Sequence, residues 1–68
     1  MKTKHLFSVL LIKSRQSKKL TQNQVARAVG VSQSAYNYWE SGKHYPNAKK
    51  LFNLTQVLSI PIDEMLTA

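Results

Sequence analysis

The segment LTQNQVARAVGVSQSAYNYWESGK, residues 20–43, decides the interpretation of this chain. Thr21 is followed three residues later by Gln24, which is the pattern of a capping box at a helix start. Gly30 stands where a helix commonly ends in a left-handed residue. These signals predict a helix at residues 22–29.

A second helix follows after a turn of three residues. Ser32 is a good N-cap, and Gly42 marks the end of the next helical stretch, so we predict a helix at 33–41. Two helices joined by so short a turn are typical of a helix-turn-helix. Ala26 is the small residue expected where the two helices approach most closely. An ordinary corner between two helices is the alternative interpretation.

Helical signals also dominate the flanking segments, and no alternating β pattern is present. Residues 5–18 contain neither glycine nor proline and are predicted to form one helix. Asn47 is expected to cap a further helix at 48–58. A short last helix is expected to pack its apolar residues Ile62, Met65 and Leu66. We therefore predict an all-α fold of five helices in a single domain, residues 1–68.

The charge of the chain indicates an anionic partner. The formal net charge is +7, and residues 1–62 contain all ten Lys and Arg residues but only one of the three carboxylates, a balance of +9. Such a bias attracts polyanions through a long-range field. Nucleic acid is the first candidate, and an anionic membrane surface is the second.

The composition offers little material for catalysis. The absence of cysteine excludes disulfides and thiolate metal sites. Two histidines and three carboxylates occur without a phosphate-binding glycine loop or a nucleophile–base pair. We expect no enzyme activity, no cofactor and no metal site.

The N-terminal stretch MKTKHLFSVLLIKS, residues 1–14, has the lysines and the apolar run of a secretory signal. However, the run from Leu6 to Ile12 is at the minimum length for a signal, and no small-residue cleavage site follows it. It is also far too short to span a bilayer. We interpret it as the first helix of a cytoplasmic protein with no membrane partner.

The helix predicted at 33–41 has two different faces. A helical wheel places Ala35, Tyr36 and Trp39 on the core side. The opposite face has uncharged donors and acceptors, the groups that recognise base edges in a major groove. Those residues are Gln33, Ser34, Asn37, Tyr38 and Ser41. For Tyr38, a surface ring packed on its own helix is the alternative to a DNA contact.

Taken together, these residues resemble the phage repressor/Cro type of helix-turn-helix domain, also called the xenobiotic-response-element family. The resemblance extends from Arg15 to Leu66. It rests on LTQ at 20–22, VARAVGVS at 25–32, WESGK at 39–43, YPN at 45–47 and LFNLTQVLSIPIDEML at 51–66. It implies a lambda-repressor-like five-helix bundle with the helix-turn-helix at about 22–41, and sequence-specific binding of double-stranded DNA, commonly as a homodimer.

The same resemblance implies roles for individual residues. Base contacts fall on Gln33, Ser34, Asn37 and Tyr38. Backbone-phosphate contacts fall on Gln22, Ser41, Lys43 and His44. For Gln22 physical chemistry agrees, because a helix N-terminus attracts phosphate. The resemblance also pairs Arg15 with Glu40, which would join helix 1 to helix 3. A simple exposed glutamate is the alternative.

Four positions depart from the family pattern. Ser14 replaces a usual apolar residue, and Lys19 and Ser59 replace frequent glycines. Tyr36 stands where isoleucine or valine is usual, so its hydroxyl requires a partner in or beside the core.

We expect a DNA-binding transcriptional regulator that represses rather than activates, with no attached sensor domain. The alternative is a protein-interaction module, such as a DNA-binding antitoxin or an adaptor. Apolar residues surround helix 1, which favours burial on more than one side, so a partner protein would bind there. A homodimer would join through the C-terminal helix, with Ile60, Met65 and Leu66 as its candidate contacts.

Overall fold

The computed structural model describes the backbone of residues 3–67 and the side chains of residues 6–67. Five helices contain most of these residues, and no strand occurs among them. They are, in chain order, α1 (Thr3–Ser17), α2 (Gln22–Val29), α3 (Gln33–Ser41), α4 (Ala48–Leu58) and α5 (Ile62–Thr67). The predicted all-α fold is confirmed, and α2, α3 and α4 have the predicted bounds.

Side-chain caps begin three of the helices. At α2, Thr21 Oγ1 accepts a hydrogen bond from Gln24 N–H at 3.1 Å, and Gln24 Oε1 accepts one from Thr21 N–H at 2.8 Å. The predicted capping box is therefore present. Ser32 and Asn47 cap α3 and α4 with their side-chain oxygens. Each cap pairs a backbone donor that the first helical turn leaves unsatisfied.

Four helices end at a left-handed residue: Lys19 (φ 58°), Gly30 (φ 89°), Gly42 (φ 81°) and Ser59 (φ 56°). After each, the next backbone N–H donates to a carbonyl five residues earlier, which is the Schellman arrangement. Two of these residues are not glycine. Lys19 and Ser59 therefore hold a conformation that costs an L-residue roughly 1–2 kcal/mol.

One apolar core lies between the helices. Its largest fully buried side chains are Tyr36, Phe7, Leu11, Leu54, Met65 and Val25. Ala26 is also fully buried, as expected for a close approach of α2 to its neighbours. The Tyr36 and Trp39 rings meet edge to face with their centroids 5.9 Å apart. The core therefore fixes α3 by its inner face, and leaves its outer face exposed.

The C-terminal helix packs differently from the prediction. Met65 is fully buried, but Ile62 and Leu66 are 45% and 64% exposed. Ile60 and Met65 both belong to the core, so the expectation that they form a dimer seam is wrong, and of the three predicted contacts only Leu66 is exposed. The reason is that α5 has only six residues, fewer than two turns, and turns one narrow face inward.

None of the described helices is long and apolar enough to cross a membrane.

Candidate nucleic-acid interface

The turn between α2 and α3 is held from two sides. Gly30 adopts the left-handed conformation that ends α2. Lys50 of α4 reaches the same point, where its Nζ donates a hydrogen bond to the Val29 carbonyl at 3.3 Å. This contact pairs one of the carbonyls that a helix C-terminus leaves open. Both features fix the end of α2, and α3 begins directly after this turn.

The outer face of α3 forms the polar floor of a shallow depression. The depression has a volume of about 290 Å³, and Gln22 at the start of α2 contributes to its lining. The other lining residues are the four predicted base contacts, Gln33, Ser34, Asn37 and Tyr38. All four are exposed. The structure therefore brings these uncharged donors and acceptors together on one accessible surface.

An ion pair joins α1 to α3 beneath this surface. Arg15 Nε donates to Glu40 Oε2 at 2.6 Å, and Arg15 Nη2 donates to Glu40 Oε1 at 3.2 Å. Arg15 Nη1 also donates to the Leu20 carbonyl at 2.9 Å. The two side chains are only 15% and 4% exposed. Two parallel contacts of this kind fix direction as well as distance.

The environment of Glu40 keeps its carboxylate ionised. Burial raises the pKa of Glu40, but hydrogen bonds, first of all from Arg15, outweigh it, so the net pKa lies below the usual 4.5. The hydrogen bond to Glu40 likewise raises the pKa of Arg15. At neutral pH both partners are therefore charged.

The Gln22 side chain, which was predicted to contact a DNA phosphate, makes two hydrogen bonds within the protein. Its side-chain Nε2 donates to Glu40 Oε1 at 2.9 Å. Its Oε1 accepts a hydrogen bond from Asn37 Nδ2 at 3.3 Å. The side chain thus connects the buried carboxylate to the exposed face of α3. A phosphate at this helix start would meet the backbone N–H groups of its first turn.

The other predicted phosphate contacts cluster beyond the end of α3. The His44 ring meets the Tyr38 ring edge to face, with centroids 5.0 Å apart. Lys43 Nζ lies 5.9 Å from the centre of the same ring, within the range of a cation–π contact. Ser41 Oγ donates to the Tyr38 carbonyl at 3.2 Å. The Tyr38 ring thus packs against neighbouring side chains, which fits the interpretation as a surface ring. It is also 40% exposed, which leaves it accessible for the predicted DNA contact.

The Tyr36 hydroxyl is buried near the ion pair. Burial and the neighbouring Glu40 carboxylate raise the pKa of Tyr36. Among the described residues, this oxygen makes no hydrogen bond of ordinary geometry. The hydroxyl, for which the sequence predicted a partner, therefore lies near the Glu40 carboxylate without a well-directed hydrogen bond.

Two parts of this arrangement were missed from the sequence. No sequence signal singled out Lys50, and none indicated the contact of Gln22 with Asn37, fifteen residues away. Neither contact can be predicted from the spacing of residues within one helix, because each joins residues of two different helices. Within residues 6–67, no group of His, Asp and Glu side chains could hold a metal ion.

The chain matches a known protein family over most of its length. A family model described as helix-turn-helix matches residues 11–65 of the chain. This range contains α2, the turn, α3 and α4 in full, with parts of α1 and α5.

Known HTH-type transcriptional regulators are similar to this chain over most of its length. It is 43% identical over 61 residues to the HTH-type transcriptional activator BcrR of Enterococcus faecalis, covering 90% of this chain and 30% of that protein. It is 38% identical over 61 residues to the uncharacterized HTH-type transcriptional regulator YqaE of Bacillus subtilis, covering 90% of this chain and 53% of that protein.

A third relative is the cryptic phage CTXphi transcriptional repressor RstR of Vibrio cholerae, 34% identical over 55 residues, covering 81% of this chain and 49% of that protein. The chain thus spans between about a third and about a half of the length of these relatives. No solved structure matches it. The matched family model, these relatives and the five-helix fold place the chain in the helix-turn-helix family of Cro/repressor type.

Proposed function

We propose that this protein is a sequence-specific, double-stranded-DNA-binding transcriptional regulator that inserts α3 into the major groove. The observation that supports this most directly is the depression formed by Gln33, Ser34, Asn37 and Tyr38 with Gln22. Its lining consists of amides and hydroxyls, which can pair with base edges. Side chains of full charge are absent from that lining.

Phosphate contacts would surround these base contacts. The start of α2 provides backbone N–H groups near Gln22, and Ser41, Lys43 and His44 are exposed at the opposite end of α3. Such contacts place the protein on the duplex but do not distinguish sequences. The formal charge of +7 supplies the long-range attraction.

Selection of bound sequences from random double-stranded DNA tests the proposal. We expect a defined motif, and an affinity that falls with salt at a log–log slope of about −0.9 for each phosphate contact. Recovery of random sequence would contradict sequence-specific binding. A slope near zero on a bound duplex would contradict the electrostatic contribution.

Occupation of an operator is enough to repress, because bound protein excludes other proteins from the same DNA. We therefore propose repression, exerted in the cytoplasm, as the mode of action. The relatives include both an activator and a repressor. A reporter gene under the selected operator distinguishes the two modes, since repression lowers its expression and activation raises it.

We further propose that the protein binds DNA as a homodimer. An apolar groove of about 310 Å³ is lined by Leu6, Val9 and Leu10 of α1, together with Lys13 and Glu64. We propose a second copy as the occupant of this groove, with a twofold axis through its middle that would bring Lys13 of each copy toward Glu64 of the other. We propose this surface in place of the seam predicted at Ile60, Met65 and Leu66, because Ile60 and Met65 are buried. Half-sites would then lie about 34–36 Å apart.

Charge reversal distinguishes a second copy from a different partner protein. Lys13→Glu or Glu64→Lys alone should weaken the dimer, because each places like charges together, and the double variant should restore it. Sedimentation with and without operator DNA measures this. One chain per operator would contradict the homodimer, and a distinct protein that co-purifies with wild type but not with Leu6→Glu would favour the interaction-module alternative.

A further inference from the structure

A continuous series of hydrogen bonds leads from the buried ion pair to the DNA-facing surface. It begins at Arg15, which donates to Glu40. Glu40 accepts from Gln22 Nε2 at 2.9 Å, and Gln22 Oε1 accepts from Asn37 Nδ2 at 3.3 Å. Its last member, Asn37, is exposed on the outer face of α3. The series therefore joins a fixed charge in the interior to a side chain that would meet DNA.

The chemistry of the series fixes its direction. An ionised carboxylate can only accept hydrogen bonds, so Gln22 must present its NH₂ group to Glu40. The Gln22 carbonyl oxygen then faces Asn37, and a carbonyl oxygen can only accept. Asn37 must in turn present its own NH₂ group to Gln22. The two ends of each amide have nearly the same shape, so Glu40 is the group that decides their orientation.

This orientation determines what Asn37 offers to a ligand. One N–H of its NH₂ group is directed at Gln22, and the other remains available. Its Oδ1 accepts no hydrogen bond from any residue within the described part of the chain. An acceptor and a donor side by side match the N6 donor and N7 acceptor that adenine presents in the major groove.

We propose that Glu40 and Gln22 are positioning residues that orient the Asn37 amide to recognise adenine. The inference rests on the proposed function, since it concerns which base pair α3 selects. In this arrangement the ion pair between α1 and α3 does more than join two helices. Its negative member also sets the donor and acceptor pattern of one base contact without touching DNA.

Selection of bound sequences by variants tests the proposal. Asn37→Ala identifies the base pair that Asn37 contacts, and we expect wild type to prefer adenine there by on the order of tenfold. Gln22→Ala and Glu40→Gln should reduce that preference toward the level of Asn37→Ala, while preferences at other positions stay. Gln22→Ala leaves Arg15 and Glu40 intact, so it remains informative if Glu40→Gln folds poorly. Gln56→Ala and Asp63→Asn are matched controls at exposed positions.

A second measurement needs no DNA. In nuclear magnetic resonance spectra of the free protein, Glu40→Gln should shift the side-chain amide signals of both Gln22 and Asn37. Asp63→Asn, which removes the same charge, should shift neither. Unchanged Gln22 and Asn37 signals in Glu40→Gln would overturn the series of hydrogen bonds.

The outcomes separate this inference from the proposed function. If wild type selects no motif, the proposed function fails, whatever the amide signals show. If wild type selects a motif but Gln22→Ala keeps the full preference at the Asn37 position, only the positioning role fails. A preference for guanine or a pyrimidine at that position would also overturn it.

Discussion

Arg15 Nε lies 2.6 Å from Glu40 Oε2, and this contact ties the first helix to the helix that would bind DNA. Twenty-five residues separate the two partners in the chain. Glu40 is the only carboxylate before Asp63, and it is withdrawn from the surface that phosphates would approach. The negative charge of Glu40 therefore pairs with Arg15 inside the fold and does not repel DNA phosphates at the surface.

Glu40→Gln should destabilise the fold. The substitution leaves the Arg15 guanidinium with no opposite charge at a largely buried position, and breaking such a pair costs about 3–5 kcal/mol when burial is deep. We expect a lower melting temperature and weaker operator binding, even though the net charge rises. Asp63→Asn changes the charge equally at an exposed position and should have little effect on melting. Unchanged melting of Glu40→Gln with tighter DNA binding would show that the pair contributes no stability.

The stability contribution of Glu40 should depend on pH. Its pKa is lower in the folded protein than the usual 4.5, so the contribution is fully present above that pH and is lost as the pH falls through the folded-state pKa. The difference in melting temperature between wild type and Glu40→Gln should therefore be large at neutral pH and shrink in acid. Thermal melts over a series of pH values measure it. A difference that grew on acidification would contradict the lowered pKa.

Gln33→Ala and Lys43→Ala should affect DNA binding in different ways. Loss of a base contact removes about 1–3 kcal/mol of discrimination at one base pair, whereas a phosphate contact is insensitive to sequence. We expect Gln33→Ala to change the selected motif. Lys43→Ala should weaken binding to all DNA sequences alike. It should also reduce the steepness of the log–log salt dependence by about 0.9, the value for one phosphate contact. Selection and salt titration of both variants measure these effects, and an unchanged motif for Gln33→Ala would place the recognition surface elsewhere.

Lys19→Gly should stabilise the protein. Lys19 has a φ of 58°, where a side chain costs roughly 1–2 kcal/mol, although added freedom of the unfolded chain offsets about 0.4–1 kcal/mol of the gain. The difference leaves a net gain of between about 0 and about 1.6 kcal/mol. Lys18→Gly removes the same charge from the neighbouring residue, whose φ is not positive, and should not stabilise. Equal effects of the two variants on chemical denaturation would show that backbone strain at Lys19 is unimportant.

Local signals determined most of the secondary structure. The capping box of Thr21 and Gln24, the caps at Ser32 and Asn47, and the glycine after α2 act within one helical turn, so the sequence alone located α2, α3 and α4. The outer face of α3 follows from the same reasoning, because helical periodicity separates Tyr36 and Trp39 from the polar side. The expected pairing of Arg15 with Glu40 came from family resemblance rather than from spacing.

Only the tertiary structure decided the rest, because it depends on contacts between residues distant in the chain. The orientation of α5 buries Met65 and exposes Leu66, although both are apolar. The left-handed conformation of Lys19 and Ser59 does not follow from their own residue types, neither of which favours it. The contact of Gln22 with both Glu40 and Asn37 exists because folding brings α2 against α3, and no periodicity within either helix could have predicted it.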